Sequence, residues 1–183
     1  MSLALSKMME LGATAPDFNL LDTISGKHLS LSDLKSDTAT VVVFICNHCP
    51  FVHHIISKLV DVAQRYQAKG VQFIAISSND IETHPQDAPA FMTQIAKEQN
   101  YPFPYLFDDT QEVAKAYSAE CTPDLFVFDG ELKCAYRGRF DETRPNLGVP
   151  TGKDLTAALD ALIEGKEVSS IQHPSMGCSI KWK

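Results

Sequence analysis

A predicted buried strand runs straight into a predicted helix, and two cysteines and a proline occupy the junction. Residues 41–45 are all β-branched or aromatic, which is typical of a strand buried on both faces. Apolar side chains recur at helical spacing over residues 52–66, and Gly70 follows as a natural helix end. The pattern predicts a strand–turn–helix unit whose corner reads Cys46-Asn47-His48-Cys49-Pro50.

The two thiols at this corner indicate redox chemistry. Cysteines three residues apart can close a small disulfide ring, and a thiolate in the first turn of a helix is stabilised by unpaired amides and the helix dipole. Pro50 suits the first helical position because it has no N–H to leave unsatisfied. That register puts Cys49 at the N-cap and leaves Cys46 at the strand end. We therefore predict Cys49 as the reactive thiol and Cys46 as its resolving partner.

Composition narrows the class of protein. A chain of 183 residues with 44% hydrophobic and 21% charged residues is typical of one soluble globular domain. A net charge of −7 disfavours nucleic acid and anionic membranes as partners, and no apolar stretch approaches the roughly 20 residues that span a bilayer. Residues 1–11 lack the pattern of a secretory signal, and the five cysteines are odd in number and scattered. We therefore expect a cytoplasmic protein.

Strand and helix patterns alternate along the rest of the chain. The βαβ order, followed by an antiparallel hairpin and a last helix, predicts an α/β fold with a mixed sheet and helices on both faces. The predicted elements are a hairpin within 12–34, strands 41–45, 71–76 and 105–107, helices 50–69 and 111–119, and a helix that follows Pro85 and Pro89 and runs to about Gln99. A hairpin of 125–128 and 133–136 across a two-residue Asp129-Gly130 turn is also predicted, and the last helix starts with a capping box at Thr151 and Asp154 and ends at Gly165.

Several stretches of the chain resemble one known group of proteins. These are residues 12–18 with 29–34, the Cys46–Cys49 corner, 103–108 and Thr122-Pro123. The chain resembles the thioredoxin-fold superfamily that unites alkyl-hydroperoxide-reductase and thiol-specific-antioxidant peroxiredoxins with thiol–disulfide oxidoreductases. A narrower resemblance, to its peroxiredoxin-like 1 subgroup, rests on residues 46–50, 121–124, 136–139 and 177–182.

The resemblance implies a thioredoxin-like fold, with a central mixed β-sheet flanked by helices, an N-terminal hairpin extension and a C-terminal tail. It divides the chain into an N-terminal tail at 1–11, a single domain at 12–165 and a tail at 166–183 that packs on the domain. It also implies a cis peptide bond between Thr122 and Pro123, beside the redox cysteines. A cis proline there presents the preceding backbone to an extended substrate and excludes metal from the thiols.

The implied activity is thiol–disulfide exchange on a protein or small-molecule disulfide, with a dithiol as the reductant. No nucleotide-binding fingerprint is present, so we expect no cofactor. His48, in the dipeptide between the cysteines, is predicted to stabilise the thiolate, and a solvent-facing loop histidine is the alternative. His48, Pro50, Thr122 and Pro123 are accordingly predicted to shape the site.

Two other functions stay open on the sequence. A peroxide-reducing antioxidant enzyme needs a hydroxyl three residues before its cysteine and a nearby arginine. Here Cys46 takes the place of that hydroxyl, whereas Arg137 or Arg139 is available as the guanidinium. A copper- or partner-binding module would use the corner cysteines and histidines. The chain has no second cysteine pair at zinc-like spacing, so we predict no metal.

The remaining cysteines are assigned by position. Cys121 precedes the Thr122-Pro123 corner and is predicted to lie near the site as structural filler. Cys134 lies in the predicted hairpin and is expected to be buried. Cys178 lies in the tail after the last helix, where a second resolving thiol or a redox sensor is a further possibility.

Overall fold

The computed structural model describes residues 2–183, which form two β-sheets with helices packed on the larger one. The helices are α1 Leu31–Leu34, α2 Pro50–Gln67, α3 Pro89–Glu98, α4 Glu112–Ala116 and α5 Lys153–Ile163, and a 3₁₀ turn covers Pro85–Asp87. The strands are β1 Leu3–Leu5, β2 Asn19–Asp22, β3 His28–Ser30, β4 Ala39–Phe44, β5 Val71–Ser77, β6 Tyr105–Phe107, β7 Cys121–Thr122, β8 Asp124–Asp129, β9 Cys134–Gly138 and β10 Met176–Ser179.

The larger sheet has seven strands in the order β3-β2-β6-β5-β4-β8-β9. Strands β4, β5 and β6 run parallel, and the other pairings are antiparallel. Helices α2 and α5 pack on one face with part of α3, whereas α1 and α4 contribute to the core on the other face. This arrangement confirms the predicted α/β class, the mixed sheet and the helices on both faces.

Strand β4 lies at the centre of this sheet and supports the corner that follows it. All six of its residues are buried, as expected for a run of β-branched side chains with sheet neighbours on both sides. Burial of each apolar side chain contributes about 1.5–3 kcal/mol. The strand pairing continues to Ile45, whose N–H donates to the carbonyl of Ile76. The chain therefore leaves a rigid sheet one residue before Cys46.

The smaller sheet joins the two ends of the chain to the centre of the sequence. Its order is β1-β10-β7, with both pairings antiparallel. Strand β10 thus lies between β1 and β7, and β7 leads directly into Pro123. Because β10 belongs to the C-terminal tail, this sheet brings residues near position 178 to the Thr122-Pro123 corner.

The β8–β9 turn differs from the predicted two-residue turn. Asp129 N–H donates to the carbonyl of Lys133, so the loop contains three residues, and Leu132 adopts the left-handed conformation with φ of 59°. Three-residue hairpin loops commonly end in such a residue. Gly130 is required here for a different reason: it leaves room for the backbone of Asp37, whose carbonyl oxygen would lie 2.1 Å from a Cβ at this position.

The predicted capping box at Thr151 and Asp154 is wrong. The N-cap of α5 is Gly152, with φ of 71° and no side-chain cap, and the Asp141 carboxylate accepts hydrogen bonds from the amides of Thr151 and Gly152. Asp154 pairs with Arg139 instead. A reciprocal capping box occurs at Ser30 and Asp33, where α1 begins. Across residues 2–183, no helix has both the length and the apolar character needed to traverse a bilayer.

Candidate active site

The corner after β4 has the register predicted from the sequence. Cys49 is the N-cap residue of α2, and Pro50 occupies the first helical turn. Cys49 is fully buried and Cys46 is 2% exposed. The N-terminus of an 18-residue helix therefore meets a thiol that is shielded from water, where the helix dipole acts on it with little screening.

The peptide bond between Thr122 and Pro123 is cis, as the resemblance implied, and it lies against both thiols. Cys49 Sγ lies 3.1 Å from the Thr122 carbonyl oxygen, and Cys46 Sγ lies 3.5 Å from Thr122 Oγ1. Thr122 therefore contacts each cysteine through a different group. The structure thus brings the loop before β8 to the strand end and the helix start, which lie more than 70 residues earlier in the chain.

A third thiol completes this cluster. Cys178 Sγ lies 2.8 Å from Cys49 Sγ, and all three cysteines are free. Cys178 is held there because β10 pairs with β7 in a register that puts Cys178 opposite Thr122. The sequence offered Cys178 only as an accessory, since its distance of 129 positions from Cys49 carries no spacing signal.

The surroundings of the three clustered thiols give them different pKa values. A hydrogen bond from Cys46 lowers the pKa of Cys49 to about 4, outweighing burial, and contacts with Cys178 and Thr122 lower it further. The same bond to Cys49, together with burial, raises the pKa of Cys46 well above its ordinary value. Burial and the hydrogen bond to Cys49 raise the pKa of Cys178 to about 12. The cluster therefore favours one thiolate, on Cys49, beside two thiols that can donate to it.

Asp87 supports the corner and was not identified from the sequence. Its fully buried carboxylate accepts hydrogen bonds from the Asn47 amide at 2.8 Å and from Asn79 Nδ2 at 2.8 Å. Burial opposes its ionisation, but the contacts with His48 and Asn79 hold the pKa of Asp87 below its ordinary value. Tyr105 adds a hydrogen bond from its hydroxyl to Asn47 Oδ1 at 3.0 Å. The position of Asp87 in the sequence, between Pro85 and Pro89, gave no sign of this role.

His48 points towards Asp87. Its Nδ1 lies 2.7 Å from Asp87 Oδ2, which is ion-pair distance without hydrogen-bond geometry, and its ring stacks on His84. Cys46, His48 and Asp87 place one potential ligand atom each within 4.8 Å of one another. Both Asp87 oxygens already accept hydrogen bonds, and Cys46 retains its proton, so these three groups are poorly prepared to bind a metal.

Arg137 has its own buried partners. Its guanidinium lies 3.1 Å from Asp124 and donates to the Ser118 carbonyl at 2.8 Å, while the Phe126 ring lies beneath it. Both charged side chains are fully buried. Hydrogen bonds described for residues 2–183 do not link this guanidinium to a cysteine of the corner. Arg139, the other candidate for a peroxidatic arginine, pairs with Asp154 at 2.6 Å.

Cys121 and Cys134 are buried outside the thiol cluster. Cys121 Sγ lies 3.6 Å from the Pro123 carbonyl oxygen, so it packs behind the cis corner, and burial raises its pKa. Burial likewise raises the pKa of Cys134 to about 11, and the backbone of Cys134 is hydrogen-bonded to residues 12 and 13. Neither environment favours a thiolate.

A cavity of about 260 Å³ opens beside the cis proline. Pro123 and Phe51 form part of its wall, and Met176 closes it from the β10 side. Its polar lining has both signs of charge and includes His54, Arg139, Asp141, Glu142, Arg144 and His173. This is concave space beside the cis proline, and none of the three clustered cysteines lines it.

Comparison with known proteins identifies the family. Residues 11–137, well over half of the chain, match the AhpC/TSA family. The chain belongs to the AhpC/TSA family. The match includes the corner at Cys46 and Cys49 and the Thr122-Pro123 loop, and it ends before the tail that contains Cys178.

Relatives of this AhpC/TSA protein fall into two groups. The structure of an uncharacterized conserved protein from Geobacillus kaustophilus is 56% identical, with a TM-score of 0.98 over 100% of this chain and 97% of that one. The thiol-disulfide oxidoreductase ResA of Bacillus thuringiensis is 24% identical over 76% of this chain and 75% of its own length. A thioredoxin-family thiol:disulfide interchange protein from Chlorobium tepidum is 19% identical, with a TM-score of 0.64 over 85% of this chain and 99% of that one. The last likeness shows that the fold is thioredoxin-like.

Proposed function

We propose that this protein is a thiol–disulfide oxidoreductase in which Cys49 attacks and Cys46 resolves. The Cys49 thiolate attacks one sulfur of a substrate disulfide, forms a mixed disulfide and expels the other sulfur as a thiolate. Cys46 then loses its proton and attacks Cys49 Sγ, which releases the second substrate thiolate and leaves a Cys46–Cys49 disulfide. An external dithiol takes up that disulfide and returns both cysteines to the reduced form.

The observation that carries this proposal is the pairing of a low-pKa thiol with a protonated one at the cis-proline corner. The pKa of Cys49 is lowered to about 4, whereas that of Cys46 is raised, so nucleophile and resolving thiol are distinguished before any substrate binds. The relatives named as thiol–disulfide oxidoreductases add support from sequence and fold. The cytoplasm is the proposed location, because dithiol reductants that would recycle the site are abundant there.

Peroxide reduction is less well supported by this geometry. Cys46 stands where a peroxidase would need a hydroxyl, and Arg137 is committed to Asp124 and the Ser118 carbonyl. A metal-binding module is disfavoured by the hydrogen bonds already made to Asp87. The substrates we propose are therefore protein or small-molecule disulfides.

The test is capture of the mixed disulfide. Reduced Cys46→Ser is mixed with glutathione disulfide, free thiols are blocked with an alkylating agent, and adducts are assigned by peptide mass. We expect glutathione on Cys49, and loss of that adduct in Cys49→Ser. Cys134→Ser is the matched control, since it removes a buried thiol away from the corner. The proposal fails if glutathione is found on other cysteines but not on Cys49.

A further inference from the structure

Strand β10 covers the nucleophile that the proposed function requires. Cys49 is fully buried, and Cys178, on β10, is 2% exposed. The two Sγ atoms are 2.8 Å apart, so the position from which a sulfur approaches Cys49 is filled by Cys178. An external disulfide that approaches Cys49 from this side has to displace Cys178.

A glycine in β10 allows this strand to lie close to β7 beside the cis corner. Cys178 lies opposite Thr122 in an antiparallel register, next to the cis corner. A Cβ on the preceding residue, Gly177, would lie 2.0 Å from the Thr122 carbonyl oxygen. Only glycine lets the strand lie this near, because any other side chain would push β10 away from Thr122. The chain therefore has the residue that allows Cys178 to reach Cys49.

Hydrogen bonds fix β10 at both ends. On its N-terminal side, Ser175 exchanges backbone and side-chain hydrogen bonds with Ser6, and Ser175 Oγ donates to the Gly138 carbonyl at 2.8 Å. On its C-terminal side, the Lys181 amide donates to Asn79 Oδ1 at 2.9 Å. Asn79 also binds Asp87, so the tail and the Cys46–Cys49 loop share one anchor. Cys178 is therefore held in place rather than presented by a loose tail.

We propose that Cys178 is a third redox thiol of this site, and that β10 occupies the place of an extended substrate strand. The inference rests on the proposed function, because it assumes that Cys49 is the nucleophile. It adds that the protein includes its own partner thiol, and that the external substrate is an extended, cysteine-containing segment able to replace β10 against Thr122.

The chemistry balances with a disulfide as the oxidant. Cys49 thiolate attacks glutathione disulfide while β10 is displaced, which forms a mixed disulfide at Cys49 and releases one glutathione thiolate. When β10 returns, Cys178 gives up its proton and attacks Cys49 Sγ. The second glutathione leaves as a thiolate, and the released proton converts it to the thiol. The product is a Cys49–Cys178 disulfide, from which Cys46 can displace Cys178 to form Cys46–Cys49.

The first experiment maps disulfides over time after reduced protein is mixed with glutathione disulfide. Cys46→Ser is expected to form first a transient Cys49–glutathione adduct and then Cys49–Cys178, whereas wild type is expected to proceed to Cys46–Cys49. In the double variant Cys46→Ser, Cys178→Ser the Cys49–glutathione adduct should last at least about tenfold longer, because a fixed thiol has a high effective concentration. Thermal unfolding establishes that each variant is folded.

The outcomes separate the two proposals. If Cys49 acquires glutathione but the adduct lasts equally long with and without Cys178, the inference is overturned and the proposed function stands. If no adduct or disulfide forms at Cys49 in any variant, the proposed function fails and the inference fails with it.

A second experiment measures access to Cys49 directly. Gly177→Ala adds the Cβ that collides with Thr122, so alkylation of Cys49 in the reduced protein should be at least about tenfold faster than in wild type. Ser179→Ala is the control, because it removes an atom from the same strand instead of adding one. An unchanged alkylation rate in a folded Gly177→Ala protein would show that β10 does not limit access, and would overturn the inference.

Discussion

Removal of the Cys46 thiol is expected to raise the pKa of Cys49. That pKa is about 4 in the folded protein, against 9.0 for an ordinary thiol, and the hydrogen bond from Cys46 is the largest cause. A hydrogen bond to a charged group contributes about 1.5–3 kcal/mol, which corresponds to about 1–2 pKa units. We therefore expect a pKa of about 5–6 for Cys49 in Cys46→Ala.

Replacing Cys46 should therefore lower the thiolate fraction of Cys49 at acidic pH and change it little at neutral pH. Wild type and Cys46→Ala should both have nearly complete thiolate at neutral pH, whereas near pH 5 the thiolate of Cys46→Ala should be reduced to about half or less. Titration of thiolate ultraviolet absorbance measures this, with Cys49→Ser subtracted as the baseline. Cys46→Ser is the matched control, because its hydroxyl keeps a donor and should give a smaller shift. The same titration midpoint in wild type and Cys46→Ala would refute the reasoning.

Three further outcomes are expected. Because the pKa of Cys49 is lowered, its thiolate stabilises the fold fully above the unfolded pKa of 9.0, and this stabilisation is lost as pH falls towards about 4; urea unfolding of wild type and Cys49→Ser across that window measures it. Arg137→Met leaves Asp124 buried without its partner and should lower the free energy of unfolding by about 3–5 kcal/mol, with the titration of the reactive thiol unchanged. Gly130→Ala drives a Cβ against the Asp37 carbonyl and should cost about 1–3 kcal/mol in the same unfolding assay, with glutathione-adduct formation at the wild-type rate.

The corner of the site was accessible from the sequence because its determinants are local. The β-branched run before Cys46 can be buried on both faces only at the centre of a sheet, and the apolar periodicity after Pro50 fixes one face of α2. Pro50 then sets the start of the helix, which puts Cys49 at the N-cap. The cis bond at Pro123 was different, because only the family resemblance indicated it.

Errors arose where two distant segments decide the local conformation. Gly130 was interpreted as a turn residue, yet its role is to admit the backbone of Asp37. Thr151 was interpreted as a helix cap, yet the Asp141 carboxylate accepts the hydrogen bonds from the amides there. In both cases the residue type was informative, but the contact that explains it is made by another element of the fold, and no spacing rule predicts that contact.

The sequence by itself determined the fold class, the central strand and helix, and the identity of the two cysteines at their junction, since hydrophobic periodicity and proline geometry act over a few residues. Tertiary structure alone decided what surrounds those cysteines. The register of β10 on β7 brings Cys178 to Cys49, and Asp87 reaches the corner from a separate turn. A shift of one residue in that register would turn Cys178 to the opposite face, because side chains alternate along a strand. The third thiol is therefore a product of strand pairing over a long sequence separation, which local sequence patterns do not encode.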